Sequence, residues 1–325
     1  MKILLTGATG FLGKNLVEHM SKFLPENSQV IGIGSKVYDL RCPYACSKVL
    51  HQHKPNVIVH AAGSVGGIGA NQQNPGKFMY ENLIMGANLI EQCRLNRKPK
   101  FILLGTVCSY PKFTPVPFQE NEIWNGYPEE TNAPYGIAKK TLMKLLQSYG
   151  EQYGLTGANL IPVNMYGPHD HFNLNSSHVI PALILKFYNA MKNGQQRVEL
   201  WGTGNASREF LFAEDCAEAI AMAIQKDTDL EPINIGNGRE IKIRDLALEI
   251  AEQMGYEGEV FFDPSKPDGQ PRRCLDTSRA KSVLGFTAKT DLQTGLRKTI
   301  SWFLQKKLGE TNRFTVWDQQ IGGKK

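Results

Sequence analysis

The chain opens with the stretch Lys2-Ile-Leu-Leu-Thr-Gly-Ala-Thr-Gly-Phe-Leu-Gly13, in which an apolar run precedes three glycines spaced three residues apart. The run predicts a buried strand, and the residues from Phe11 onward predict a helix. Gly7 permits the tight turn between them, Gly10 lets the backbone approach a pyrophosphate, and Gly13 lets the helix lie close to the sheet. The helix N-terminus would offer free N–H groups to the anion. An ordinary strand-to-helix turn is the alternative, but the position between a strand and a helix favours a dinucleotide site.

Short β-branched runs alternate with longer helical patterns through the first half of the chain, as in KILLT, QVIGI, NVIVHA, FILLG and ANLIPV. Repeated strand–helix–strand units predict parallel strands joined by crossover helices. The expected fold class is therefore α/β: a doubly wound parallel sheet of Rossmann type with a smaller C-terminal α/β lobe for substrate. The dinucleotide domain is expected over residues 1–165, with residues 205–235 returning to it, and the substrate lobe mainly over 166–310. Residues 311–325 lack clear periodicity and are left as a tail of uncertain order.

The composition is that of an ordinary globular protein, with 325 residues, 41% hydrophobic and 21% charged. The formal net charge is +6, yet the basic residues are spread out, so no nucleic-acid partner is expected. The first residues do not resemble a signal sequence, and no apolar run reaches the roughly 18 residues that span a bilayer. A cytoplasmic protein without a membrane partner is expected. Six scattered cysteines lack metal-ligand spacing, so neither a metal site nor a disulfide framework is expected.

The end of the second predicted strand, residues 32–36, has no Asp or Glu where an NAD-specific site usually places one. Lys36, with Arg41 nearby, would meet a 2′-phosphate with positive charge, which favours NADP(H) over NAD. Lys36 could equally be a solvated loop residue, and Asp39 with Leu40 could flank the adenine. The expected cofactor contacts are Gly7, Thr9, Gly10, Phe11, Leu12, Gly13, Ser35, Lys36, Asp39, Leu40, Ala61, Ala62 and Gly63.

Tyr135 and Lys139 stand four residues apart after Pro134, so on a helix their side chains share one face. A phenol with an ordinary pKa near 10 is a poor acid–base group at neutral pH. A neighbouring ammonium and a cationic nicotinamide are expected to lower that pKa, and the lysine could also hold the nicotinamide ribose. Thr106 follows the strand FILLG and is either a catalytic hydroxyl or an ordinary hydroxyl at a strand end.

These features resemble the extended short-chain dehydrogenase/reductase family, whose glycine turn reads TGxxGxxG and whose catalytic set is Ser or Thr plus Tyr-x-x-x-Lys. The resemblance implies that Thr106 orients a keto oxygen, Tyr135 exchanges the proton, and Lys139 supports the tyrosine. It also implies that Tyr135, Lys139 and His178 contact the cofactor. Further motifs of this kind extend over nearly the whole chain, at residues 65–68, 108–112, 130–139, 164–170, 177–182, 201–204, 208–211 and 268–273.

Those motifs resemble the family members that epimerise and reduce GDP-4-keto-6-deoxy-D-mannose. A 4-keto group acidifies the protons on C3 and C5, so inverting both centres needs a base on one face and an acid on the other. By resemblance, Cys108 and His178 form that pair, while NADPH reduces C4. Without the family, Cys108 could be a buried small hydrophobe and His178 a solvated or capping residue. The family's Ser-Ser before the cysteine is Thr106-Val107 here, and its usual arginine is Lys186, so the sugar stays open.

A nucleotide-sugar substrate such as a GDP-sugar carries a diphosphate, which needs cations. The expected substrate contacts are Asn164, Lys186, Trp201, Arg208 and Arg273, each of which could equally be a surface residue. Three other functions stay open: action on another keto nucleotide-sugar such as a GDP-heptose derivative, epimerisation or reduction alone, and cofactor binding without catalysis. A C2 homodimer through helices flanking the active site is the expected assembly.

Overall fold

A computed structural model describes residues 1–174, 176–266 and 270–310. The predicted tail at 311–325, and residues 268–269 of the motif at 268–273, lie outside the described residues. The strands are β1 Lys2–Thr6, β2 Gln29–Ile33, β3 Val57–His60, β4 Lys100–Leu104, β5 Gly157–Pro162, β6 Asn164–Tyr166, β7 Arg197–Trp201, β8 Ser207–Phe212, β9 Pro232–Ile235, β10 Glu240–Lys242, β11 Glu259–Asp263 and β12 Arg272–Arg273. The helices are α1 Phe11–His19, α2 Pro43–His53, α3 Ile68–Gln73, α4 Pro75–Leu95, α5 Ala133–Tyr153, α6 Val179–Lys192, α7 Ala213–Gln225, α8 Ile243–Met254 and α9 Leu292–Glu310.

Six strands form the central sheet in the order β2-β1-β3-β4-β5-β9, and every neighbouring pair is parallel. All residues of β3 and of β5 are buried. Successive side chains of a strand point to opposite faces, so complete burial requires cover on both faces. Helices α2, α4 and α5 pack as one group and α1 packs with α7. The predicted doubly wound α/β fold is confirmed.

The second lobe is built on short strands. Strand β8 lies between β10 and β12 and also pairs with β6, whereas β7 and β11 form a separate parallel pair. Helices α6, α8 and α9 close over an apolar cluster that includes Ile184, Phe187, Ile250 and Phe303. Residues of β9 and α7 pack in the apolar core around the central sheet, as do Leu284 and Phe286 much later in the chain. The division at residue 165 stays a prediction.

No helix within the described ranges combines the length and apolar character needed to cross a membrane. The six cysteines are all free thiols. Cys42 is exposed, Cys108 is half-buried, and the others are buried. Most of the cysteines therefore fill core space, and Cys108 differs from them in being partly open to solvent.

Candidate active site

The glycine turn lies at the carboxyl end of β1, as its spacing predicts. Gly7 has φ +69°, a left-handed conformation that favours glycine. A Cβ on Gly13 would lie 2.0 Å from the carbonyl oxygen of Gly7, so the helix can approach the turn this closely only without a side chain. Gly10 precedes the first turn of α1, and no side chain caps the N–H groups there. The turn is thus shaped to receive a phosphate group at a helix N-terminus.

The residues after β3 line the same edge of the sheet. The backbone N–H of Ala62 donates to the Thr6 hydroxyl at 3.1 Å, and Thr6 also bonds the buried His60 ring at 3.0 Å. A Cβ on Gly7 would lie within 2.9 Å of the Ala61 and Ala62 backbone. One residue further on, the position of a Cβ on Gly63 is 3.9 Å from the Lys139 Nζ. The predicted cofactor residues 61–63 therefore connect the glycine turn to the Tyr–Lys pair.

The remaining predicted contacts of the turn lie along α1 and at the end of β2. Thr9 packs against the backbone at Gly34, since a Cβ there would lie 2.9 Å from its methyl carbon. Phe11 and Leu12 begin α1, and Leu12 is buried in the core. Ser35 and Lys36 form the turn that follows β2, with Lys36 exposed.

Arg41, which the sequence offered as positive charge beyond β2, is paired with two carboxylates. Arg41 donates from Nη2 to Asp39 Oδ2 at 2.8 Å and from Nη1 to Glu81 Oε1 at 2.8 Å. This pairing lowers the pKa of Asp39 and leaves little free positive charge on Arg41. Leu40 has a buried side chain. Lys36 makes no hydrogen bond or ion pair to any described residue, so its charge is not already paired as that of Arg41 is.

Tyr135 and Lys139 lie one turn apart on α5, against the end of β4. The Lys139 ammonium is buried and donates to the Leu104 carbonyl at 3.0 Å, and burial lowers its pKa to about 8. Burial, with a smaller effect from Cys108, raises the pKa of Tyr135, while a hydrogen bond to Thr106 opposes the rise. In the protein alone, desolvation therefore raises the pKa of Tyr135, and the lowering expected beside a bound cationic nicotinamide stays a prediction.

Cys108 lies in a short helical turn directly after β4, beside the Tyr135 helix. The Thr106 hydroxyl accepts a hydrogen bond from the Cys108 N–H at 3.2 Å and so fixes this turn. A Cβ on Gly136 would lie 2.3 Å from the Cys108 carbonyl oxygen, which explains why glycine follows the tyrosine. The structure therefore brings Thr106, Cys108, Tyr135 and Lys139 together at one strand end.

His178 precedes the first residue of α6 and is exposed to solvent. Although the residue as a whole is exposed, desolvation of its ring, and to a lesser extent His171, lowers the pKa of His178. The Gly67 N–H donates to the Ser176 carbonyl at 3.0 Å, and a Cβ on Gly67 would lie 2.9 Å from the Ser177 carbonyl oxygen. The loop at 63–67 thus runs from the surroundings of Lys139 to the segment that carries His178.

Three predicted substrate contacts share the sheet centred on β8. Arg208 on β8 is aligned with Arg273 on β12. Asn164 on β6 donates to the Glu209 carbonyl at 3.0 Å. The other two lie elsewhere in the lobe: Lys186 donates to the Glu199 carbonyl at 2.9 Å, and Trp201 ends β7 with 67% of its surface exposed. Burial lowers the pKa of Lys186.

Glu209 is a residue that the sequence reasoning missed. Its carboxylate is fully buried and accepts from the backbone N–H groups of Asn237, Gly238 and Leu275 at 2.6, 2.7 and 2.6 Å. These bonds tie β8 to the turn after β9 and to the residues after β12. The signal was present as a carboxylate inside the apolar run EFLF. Glu209 thereby holds the strands that carry Arg208 and Arg273.

The glycine turn at a parallel sheet edge and the Tyr135–Lys139 pair beside it define a class: oxidoreductases that use a nicotinamide dinucleotide to interconvert carbonyl and hydroxyl groups. The family model described as the NAD dependent epimerase/dehydratase family matches residues 3–236. The chain belongs to this family.

Named relatives align along nearly all of the chain. A GDP-L-fucose synthase of Sinorhizobium fredii is 39% identical over 93% of this chain and 95% of its own length. A GDP-L-colitose synthase of Yersinia pseudotuberculosis is 41% identical over 94% of this chain and 99% of its own. The crystal structure of a GDP-L-fucose synthetase from Naegleria fowleri bound to NADP is similar with a TM-score of 0.85, at 29% identity over 95% of each chain.

Proposed function

We propose that the protein converts GDP-4-keto-6-deoxy-D-mannose to GDP-L-fucose by epimerising C3 and C5 and reducing the 4-keto group. The observation that carries this proposal is the position of a half-buried thiol, Cys108, within the same strand-end cluster as Thr106, Tyr135 and Lys139. A carbonyl reductase needs only Thr106, Tyr135 and Lys139, so the thiol indicates a further reaction. The two synthases that align with 95% or more of their own length support this choice.

The proposed cofactor is NADPH, which supplies the hydride for C4 when it is bound. The turn from Gly7 to Gly13 accommodates the pyrophosphate because its closest backbone approaches leave no room for side chains. Lys36 meets the 2′-phosphate, since Arg41 is already paired with two carboxylates. Lys139 holds the nicotinamide ribose, in addition to its role beside Tyr135.

Epimerisation is assigned to Cys108 and His178. The 4-keto group acidifies the protons on C3 and C5, so a thiolate can remove a proton from one face of the sugar. An imidazolium at His178 returns a proton to the opposite face. The lowered pKa of His178 makes its imidazolium a stronger acid than that of free histidine and a minor fraction of the side chain at neutral pH. Each inversion leaves the carbon skeleton and its oxidation state unchanged.

Reduction is assigned to Thr106, Tyr135 and Lys139. The raised pKa of Tyr135 keeps the phenol protonated at neutral pH, which is the form that can give a proton to the C4 oxygen. The Thr106 hydroxyl orients that oxygen. The Lys139 ammonium, with its pKa at about 8, is mostly charged at neutral pH and stabilises the phenolate until solvent returns the proton.

The second lobe is assigned to the GDP moiety. We assign Arg208 and Lys186 to the diphosphate, and Trp201 and Asn164 to the base and sugar. The chain is proposed to work in the cytoplasm as a C2 homodimer through α4 and α5, where Tyr80 is 61% exposed. Light scattering on the purified protein tests the assembly; a mass equal to one chain contradicts it.

The direct test is turnover of GDP-4-keto-6-deoxy-D-mannose with NADPH, followed by NMR identification of the sugar. Formation of GDP-L-fucose is expected. Cys108→Ala is expected to abolish formation of the L-fucose configuration, while Cys42→Ala, a change at an exposed cysteine outside the cluster, leaves it unchanged. Absence of turnover with both NADPH and NADH would contradict the proposal.

A second candidate keeps the chemistry and changes the sugar. The 41% identity to a GDP-L-colitose synthase is as high as the identity to a GDP-L-fucose synthase, and Thr106-Val107 replaces the family's usual Ser-Ser. A panel of GDP-linked 4-keto sugars that includes 3-deoxy and heptose derivatives decides between them. A kcat/KM for one of these at least tenfold above that for the 6-deoxymannose derivative favours the second candidate.

A further inference from the structure

An arginine of the second lobe contacts the thiol assigned to epimerisation. Arg273 Nη1 lies 3.7 Å from Cys108 Sγ, within the range of an N–H to sulfur hydrogen bond. The two residues are 165 positions apart in the chain. Arg273 belongs to β12, whereas Cys108 follows β4 of the central sheet. The contact therefore joins the substrate lobe to the catalytic turn.

The guanidinium is held in place from both sides of this junction. Gln270 Oε1 accepts from Arg273 Nη2 at 2.8 Å and from Nε at 3.2 Å. Gln270 Nε2 in turn donates to the Lys112 carbonyl at 3.0 Å, four residues after Cys108. A planar guanidinium bound through two nitrogens has a fixed direction. Nη1 is thus aimed at the sulfur rather than free to rotate away.

The charge of Arg273 is not neutralised by a carboxylate among the described residues, because its hydrogen bonds go to an amide oxygen and to sulfur. Its neighbour Arg272 differs, since it ion-pairs with Glu240. The Arg273 guanidinium contacts the Cys108 sulfur, and the Tyr135 phenol is close enough to Cys108 to interact with it electrostatically. A positive charge that no described carboxylate neutralises therefore lies in contact with the sulfur.

We propose that Arg273 is a positioning residue for Cys108, holding the sulfur in its thiolate form and fixing its direction toward the sugar. This inference rests on the proposed epimerisation, in which Cys108 is the base. An opposite charge in hydrogen-bond contact with an acidic group favours the ionised form of that group. The role is additional to any contact of Arg273 with the diphosphate, which stays a prediction.

Alkylation by iodoacetamide tests the charge effect without any substrate, so its result is independent of the proposed function. A Cys42→Ser background removes the exposed thiol, and serine is well suited to its position before α2. Arg273→Gln is expected to slow alkylation of Cys108 at pH 7 about tenfold and to move the pH–rate profile toward higher pH. Arg273→Lys is expected to restore most of the rate. Arg272→Gln, which removes an equal charge one residue away, is expected to leave the profile unchanged.

Two outcomes overturn the inference: an Arg273→Gln profile that superimposes on that of the background, or an equal shift in Arg272→Gln. Should Arg273→Gln fail to fold, Arg273→Met removes the same charge, and a Cys108 pH–rate profile unchanged in that variant overturns the inference equally. In turnover assays, Arg273→Gln is expected to lower the rate at which the sugar C–H protons exchange with solvent. That loss should be a larger factor than any loss of affinity for NADPH. If the protein proves inactive on every keto sugar, the alkylation profile still decides the role of Arg273.

Discussion

Replacing Lys139 by Met should stabilise the protein at neutral pH while removing its reductase activity. Met has nearly the shape of Lys without the charge, and the Lys139 side chain is only 3% exposed. Burial lowers the pKa of this lysine from 10.5 to about 8. At about 1.4 kcal/mol per unit, holding the ammonium in the fold costs about 3 kcal/mol. Loss of the hydrogen bond to Leu104 offsets about 1 kcal/mol of the gain.

The net gain in the free energy of unfolding is therefore about 2 kcal/mol at pH 7, and it depends on pH. Below the folded-state pKa of about 8, the lysine is charged in both states and the whole cost applies. Between about 8 and 10.5, the unfolded chain binds the proton and the folded protein does not, so the stability of the wild type rises with pH. At pH 9.5 the advantage of the Met variant should have fallen by about 2 kcal/mol, to near zero.

Urea denaturation of the protein without cofactor, at both pH values, measures these differences. Lys144→Met, an exposed change on the same helix, is the matched control and should alter stability by less than about 0.5 kcal/mol. NADPH-dependent reduction by the Lys139 variant should drop at least about a hundredfold. A variant that is less stable than the wild type at pH 7, or equally more stable at both pH values, refutes the reasoning.

Three further substitutions test the glycine turn, the preference for NADPH and the role of Glu209 in the second lobe. Gly13→Ala places a Cβ 2.0 Å from a carbonyl oxygen of the turn and should weaken NADPH binding at least about tenfold in a fluorescence titration. The control Gly76→Ala, at a position with open space around it, should leave NADPH binding unchanged. Lys36→Glu should raise the KM for NADPH relative to that for NADH by about tenfold or more. The exposed Lys48→Glu is the control and should leave this ratio unchanged. An unchanged ratio in Lys36→Glu would assign the 2′-phosphate to another residue. Glu209→Gln places an NH2 donor beside backbone N–H donors and should lower the free energy of unfolding by about 2 kcal/mol, measured in thermal melts. An unchanged melting temperature contradicts the role of Glu209 in holding β8 to the residues after β9 and β12.

The sequence predicted the central sheet well because the signals there are local. Each parallel strand is a short apolar run, and the glycines after β1 are needed for reasons that act within one turn. The Tyr135–Lys139 pair was likewise visible, because helical spacing alone puts both side chains on one face.

The second lobe was less predictable because its sheet joins short segments that are far apart in the chain. Strand β12 has two residues, and nothing in its local pattern indicates pairing with β8 or contact with Cys108. Burial raises the pKa of Tyr135 in the protein alone, and burial around a side chain cannot be read from its neighbours in sequence. Arg41 shows the same limit, since its partner Glu81 lies forty residues away.

One site is expected to invert C3 and C5 and to reduce C4 of the same sugar. Incubation of the protein with NADPH and GDP-4-keto-6-deoxy-D-mannose in heavy water, with NMR analysis of the product, tests it most directly. The expected product carries deuterium at both C3 and C5 and none at C4, with one NADPH consumed per molecule formed. Consumption of NADPH without deuterium at C3 and C5 would reduce the protein to a ketoreductase and contradict the roles of Cys108 and His178.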